Sequence, residues 1–131
     1  MIVDTSAIVE VLLDTDRASR FRHTLARSES VRISAGTLLE TAIVVDANRN
    51  PVLSGRLDDM VSRTPLHVEP VTERHIEVAR RAYQVFGKGS GHPARLNFGD
   101  CFAYALARTT GEPLLFAGDD FSKTDVTPAL P

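Results

Sequence analysis

The sequence predicts an α/β fold: a short central parallel sheet covered by helices on both faces. Its apolar runs are short, they alternate with longer stretches of helical periodicity, and the first and last of them lead straight into acidic capping or turn residues. A chain of 131 residues is long enough for one domain with its own core, spanning 1–131, and too short for two of ordinary size. In sheets of this kind ligands bind beyond the carboxyl ends of the strands, where the strand order reverses.

Met1, Ile2 and Val3 form a short buried strand, and Asp4, Thr5 and Ser6 supply helix-capping residue types before the apolar run Ala7 to Leu13. Asp16 is placed to cap a second, polar helix to about Ser28, with Phe21 and Leu25 on its inner face. Val31 to Ile33 is the next strand. Ser34 opens a helix to about Asn48, broken at Asn50 and Pro51 before another helix to about Arg63, the two forming a hairpin. Leu66 to Glu69 alternates as a half-buried strand. Thr72 then caps a helix whose inner stripe is Ile76, Ala79, Ala82, Tyr83 and Phe86. Gly87 to Pro93 is a flexible internal loop, followed by a helix from about Phe98 to Thr110 that Gly111 ends. Leu114 to Phe116 is the last buried strand, Gly118 to Phe121 a turn or short helix, and Asp125 to Pro131 an added edge strand.

The composition, 43% hydrophobic and 24% charged, excludes intrinsic disorder. A formal net charge of −2 gives no general nucleic-acid-binding field. Cys101 is the single cysteine, so no internal disulfide forms, and the apolar runs are far shorter than a bilayer span. With no signal segment at the start, a cytoplasmic protein without membrane association is expected.

The acids carry the chemistry. Asp4 follows the first strand, and Asp119 and Asp120 follow the last, so both groups belong at one sheet edge. Glu40 shares a helical face with Ile43, Val44 and Ala47, which places a carboxylate among apolar groups; a capping box with Thr37 is the competing role. Asp100 precedes Ala103, Tyr104 and Ala107 on one face, or serves as a first-turn acid beside the cap Asn97. Two carboxylates roughly 4 Å apart at an effective dielectric of 20 repel by about 4 kcal/mol. No compact basic cluster stands near to offset that. An all-oxygen site without His or Cys suits Mg²⁺ or Mn²⁺, which bind through few carboxylates together with waters and substrate phosphates. Thr5 or Ser6 lends a hydroxyl to the site.

Other chemistries fit less well. His23, His67, His75 and His92 lack zinc-ligand spacing. Gly87 to Gly91 lacks the order of a phosphate-binding loop. Cys101 has no histidine near it in sequence and is read as a structural thiol.

Four segments in order resemble the PIN domain, and most closely the VapC-type toxins of bacterial toxin–antitoxin pairs: Met1 to Ala7, Ser34 to Glu40, Asn97 to Ala107, and Leu114 to Asp125. The resemblance covers essentially the whole chain. It implies a three-layer α/β/α sandwich and a Mg²⁺- or Mn²⁺-dependent endoribonuclease leaving 5′-phosphate and 3′-hydroxyl ends. It carries the acidic metal site onto Asp4, Glu40, Asp100 and Asp119, with the adjacent Asp120 as the alternative fourth acid, and gives Thr5, Ser6 and Asn97 supporting places. It also implies inhibition by a cognate VapB-type antitoxin, a homodimer within a larger complex, and promoter binding only through the antitoxin. RNA must approach an acidic site, so Arg17, Arg20, Arg22 and Arg27 on the second helix, with Lys88 and Arg95, are the candidate backbone contacts. The alternative is a non-catalytic metal-binding module, such as a phosphoacceptor receiver. A receiver places its acidic pair after the first strand and a lysine at the last; here the pair follows the last strand and Lys123 lies beyond it.

Overall fold

A computed structural model describes residues 1–131. The elements in chain order are β1 (Ile2–Val3), α1 (Thr5–Leu12), α2 (Ala18–Arg27), β2 (Val31–Ser34), α3 (Ala35–Asp46), α4 (Pro51–Arg63), β3 (Leu66–Glu69), α5 (Glu73–Phe86), α6 (Phe98–Thr110) and β4 (Leu114–Leu115). All strand pairs are parallel, and the sheet order is β3-β2-β1-β4. The chain therefore builds outward from β1 to β3 and returns to add β4 on the opposite side of β1. That reversal is the switch point at which parallel sheets bind ligands.

Strand alternation divides the core into two layers. Val3, Val31, Ile33 and Leu115 face one side with Ala7, Ile8, Leu12, Phe21, Leu25, Val45, Leu53 and Leu57. Ile2 and Leu114 face the other with Leu96, Tyr104, Leu106, Phe121 and Val126. Helices α1 to α4 thus supply one covering layer, and α5 and α6 the other. Each fully buried Leu or Ile contributes about 1.5–3 kcal/mol over its exposed state.

Four expectations change. Asp16 does not cap α2; the cap position is Arg17, without a side-chain hydrogen bond. The Ile43, Val44 and Ala47 face of α3 is exposed, and the buried face is Thr37, Thr41 and Val45. On α5 only Ala82 is buried, while Ile76 and Tyr83 open onto a groove shared with Phe98 and Phe102 of α6. The tail forms no edge strand: it meets β4 at one bridge, Leu114 with Pro128, through Leu114 N donating to Thr127 O at 2.8 Å and Ala129 N to Leu114 O at 2.8 Å. The next pair in that register would need the N–H of residue 131, and Pro131 has none. No helix is long and apolar enough to cross a membrane.

Candidate functional site

The site forms at the carboxyl edge of the sheet, around the end of β1. Asp4 leaves β1 with extended backbone and caps α1: its Oδ2 accepts from Ser6 N at 2.9 Å and Ser6 Oγ at 2.6 Å. Ser6 Oγ in turn accepts from Ala117 N at 3.0 Å, tying this acid to the segment after β4. The other carboxylate oxygen, Oδ1, is buried without any partner on a residue only 3% exposed. A buried, unpaired carboxylate oxygen costs free energy unless something outside the chain binds it.

Glu40 projects from α3. Ser34 caps that helix through Gly36 N, so the Thr37–Glu40 capping box does not form. Thr5 Oγ1 donates to Glu40 Oε1 at 2.6 Å and lies 2.9 Å from Thr41 Oγ1, which donates to Thr37 O at 2.8 Å. Thr41 thus reaches the carboxylate only through Thr5, and Thr37 takes part through its carbonyl.

Asp100 arrives from the opposite layer, in the first turn of α6. Asn97 N donates to its Oδ2 at 2.9 Å, and Asp100 N donates to Asn97 Oδ1 at 2.9 Å. This reciprocal cap fixes the acid's position. Burial, joined by the charges of Asp4, Asp120 and Glu40, pushes its carboxyl up to about 7, against the smaller opposing pull of the Asn97 N–H. Burial likewise raises Asp4, with the Glu40 charge adding to it and the Ser6 hydrogen bonds opposing. None of the five acids makes an ion pair.

Asp119 and Asp120 both follow β4, and the Asp120 charge is among those that raise Asp100. The Asp119 carbonyl closes the turn, accepting from Ser122 Oγ at 2.7 Å. Both side chains are exposed beyond Gly118, whose φ of 87° sets the turn and suits glycine.

The donor set is one for a hard cation. It offers carboxylate and hydroxyl oxygens, an orphaned buried oxygen and unneutralised charge. No three acids stand close enough together to form a ready-made ligand cage.

Among the basic residues, Arg17 pairs with Glu10 and Arg22 with Asp14, while Arg20 Nη2 donates to Pro131 O at 3.2 Å. Arg27 lies in a groove with Met1, at the amino end of β1 and opposite the acids. Lys88 and Arg95 are exposed and unpaired on the loop closed by Lys88 N donating to Leu96 O at 2.8 Å, just before Asn97. Burial, with the Asp100 charge, pushes the Cys101 thiol up to about 11, and its Sγ donates to Asn97 O at 3.3 Å, as a structural thiol should. His75 and His92 cap local backbone through Nδ1.

Two residues that touch the site carry signals that were not used in the sequence. Gly99 stands in the first turn of α6, where a poor helix former needs a spatial reason. Thr41 follows Glu40 and is four residues from Thr37, the spacing of a hydroxyl bonding back along a helix.

A family model described as the PIN domain matches residues 1–126. Ribonuclease VapC28 of Mycobacterium tuberculosis is 52% identical over 130 residues, covering 99% of this chain and 98% of the relative. Ribonuclease VapC30 of the same species is 41% identical over 132 residues, covering 100% of both. Among solved structures, M. tuberculosis VapC20, described as a sarcin–ricin-loop-cleaving toxin, superimposes with a TM-score of 0.74 at 19% identity, covering 96% of this chain and 95% of that one. VapBC2 from Rickettsia felis, bound to a fragment of its promoter DNA, gives a TM-score of 0.69 at 14% identity, covering 97% and 94%. At those identities the structural likeness concerns the fold.

Proposed function

The chain belongs to the PIN-domain family and to its VapC ribonuclease branch, and from that membership we propose that it is the toxin of a toxin–antitoxin pair, an endoribonuclease working through the acids at the carboxyl edge of the sheet. The observation that carries the site assignment is the buried, unpartnered Asp4 Oδ1, on one of three acids whose charges oppose ionisation of Asp100. Asp4, Glu40, Asp100 and Asp120 would hold a divalent ion, Mg²⁺ or Mn²⁺, with Asp119 as the alternative to Asp120. When bound, such an ion neutralises the carboxylates, polarises the phosphodiester and acidifies a water.

The remaining tasks fall to this chain's residues. Ser6 holds Asp4 so that Oδ2 is occupied and Oδ1 is turned free. Thr5 fixes Glu40 from below, and the Asn97 backbone N–H fixes Asp100 at the start of α6. Lys88 and Arg95, exposed on the loop before Asn97, would attract RNA phosphates. No side-chain nucleophile is needed.

The partner is a cognate VapB-type antitoxin that inhibits the toxin and carries any promoter contact. A homodimer within that complex, acting in the cytoplasm, completes the proposal. The test is cleavage of RNA by antitoxin-free protein with Mg²⁺ or Mn²⁺, its loss in EDTA, and its suppression when the partner is added. Cleavage persisting in EDTA would refute the metal site.

A further inference from the structure

We propose that Gly99 is a positioning residue for Glu40: the absent side chain at 99, together with the Thr5 and Thr41 hydroxyls, sets where the Glu40 carboxylate stands. This rests on Glu40 being a site acid.

Helices α3 and α6 come from different covering layers and approach each other through two glycines. At Gly36 a Cβ would overlap the Phe102 ring. At Gly99 a Cβ would overlap Glu40 Oε2 and Cδ and lie 2.9 Å from Oε1. The φ of Gly99 is not in the left-handed region, so backbone conformation does not call for glycine there. Glycine is the poorest helix former after proline, yet it occupies the first turn of α6, one residue before Asp100. What it provides is space, and a carboxylate fills that space.

The opposite side of Glu40 is closed by hydroxyls. Thr5 Oγ1 is 2.6 Å from Glu40 Oε1 and 2.9 Å from Thr41 Oγ1. The Thr41 proton goes either to Thr37 O, at 2.8 Å, or to Thr5 Oγ1. Of the acceptors around Thr5 Oγ1, the charged Glu40 Oε1 at 2.6 Å is nearer than Thr41 Oγ1 at 2.9 Å or Thr37 O at 3.4 Å, so the Thr5 proton goes to Glu40. A flexible three-torsion side chain is thereby held between a donor on α1 and bare backbone on α6, on the same turn as Asp100. Substituting alanine at 99 would displace the carboxylate without removing any acid.

The test is Mn²⁺ affinity of the RNA-free protein, followed by electron paramagnetic resonance, alongside metal-free melting temperatures. Gly99→Ala should weaken Mn²⁺ binding about 10- to 100-fold, the range for residues that orient ligands. Glu40→Asp, one methylene shorter, clears a Cβ at 99, so Gly99→Ala/Glu40→Asp should bind more tightly than Gly99→Ala alone. Thr5→Val should weaken binding and Thr5→Ser should retain it. If Glu40→Gln weakens Mn²⁺ binding while Gly99→Ala binds like wild type, the inference fails and the site assignment stands. If Glu40→Gln itself binds like wild type, Glu40 is no ligand and both fail. Should Gly99→Ala not fold, the double variant decides: equal unfolding of both means that Gly99 serves helix packing alone and overturns the proposal.

Discussion

The two edges of the sheet treat the same chemical group in opposite ways. At the amino edge, Glu112 takes the Met1 ammonium on Oε1 at 2.7 Å and Arg32 Nη1 on Oε2 at 3.4 Å. Burial alone would raise Glu112, but those cations hold it below the usual carboxylate range. At the carboxyl edge Asp4 and Asp100 are raised, and no cationic side chain pairs with them. An acid whose job is structural is given its cation by the fold. Acids left to crowd one another are poised for a cation from outside.

Breaking the carboxyl edge should have the largest effect. Asp4→Asn and Asp100→Asn are expected to lower kcat for RNA cleavage on the order of 10²–10³-fold or more, the scale of losing a preorganised electrostatic group. Glu112→Gln should leave kcat unchanged. Wild-type turnover by Asp100→Asn with intact circular dichroism would place the chemistry elsewhere.

Metal binding should separate the edges next. At 100 times its Kd, a divalent ion should stabilise the folded protein by about 2.7 kcal/mol, read as a rise of several degrees in Tm. Glu112→Gln should keep that rise and Asp4→Asn should lose most of it. Equal rises in all three proteins would mean that the ion binds away from Asp4.

The pH dependence should have opposite signs at the two ends. Asp100 is raised from 3.8 to about 7, so in EDTA the folded state keeps a proton that the unfolded chain releases, and stability should fall as pH rises from about 4 to 7. Asp4 is raised and acts in the same direction. Glu112 is lowered, so its contribution is present above its ordinary 4.5 and lost as pH falls below it. Melting curves should show Asp100→Asn flattening the neutral limb and Glu112→Gln the acid one. A neutral limb unchanged in Asp100→Asn would show that Asp100 is not the group titrating there.

The smallest effects concern the rim. Lys88→Ala and Arg95→Ala should each reduce the salt slope of RNA binding by about 0.7, whereas Arg17→Ala, whose partner is Glu10, should leave it unchanged. A reduced slope for Arg17→Ala would move the RNA path onto α2.

Much of this was legible in sequence because caps and strand ends are local. Asp4 after an apolar run and Asp100 three residues beyond Asn97 both announce helix starts, and those starts are where the site lies. The inner face of α3 was not legible. Apolar Ile43 and Val44 suggest the core, but it is Thr37 and Thr41 that are buried: Thr41 Oγ1 reaches Thr37 O on its own helix and Thr5 Oγ1, which only the packing of α1 on α3 brings there. The same holds for Asp119 and Asp120: both are exposed neighbours on a turn, and composition does not say which of them stands nearer the other acids. Gly99 had a local signal, yet its meaning required the position of Glu40, 59 residues away in the chain.

The missing cation at the carboxyl edge also bears on heredity. Crowded acids lower the stability of the metal-free fold, so a neutral substitution at Asp100 yields a sturdier and harmless protein. Folding therefore offers no protection against decay of the activity. A lineage that stops benefiting from cleavage would drift toward inert, well-folded descendants, and stability alone would not oppose that drift.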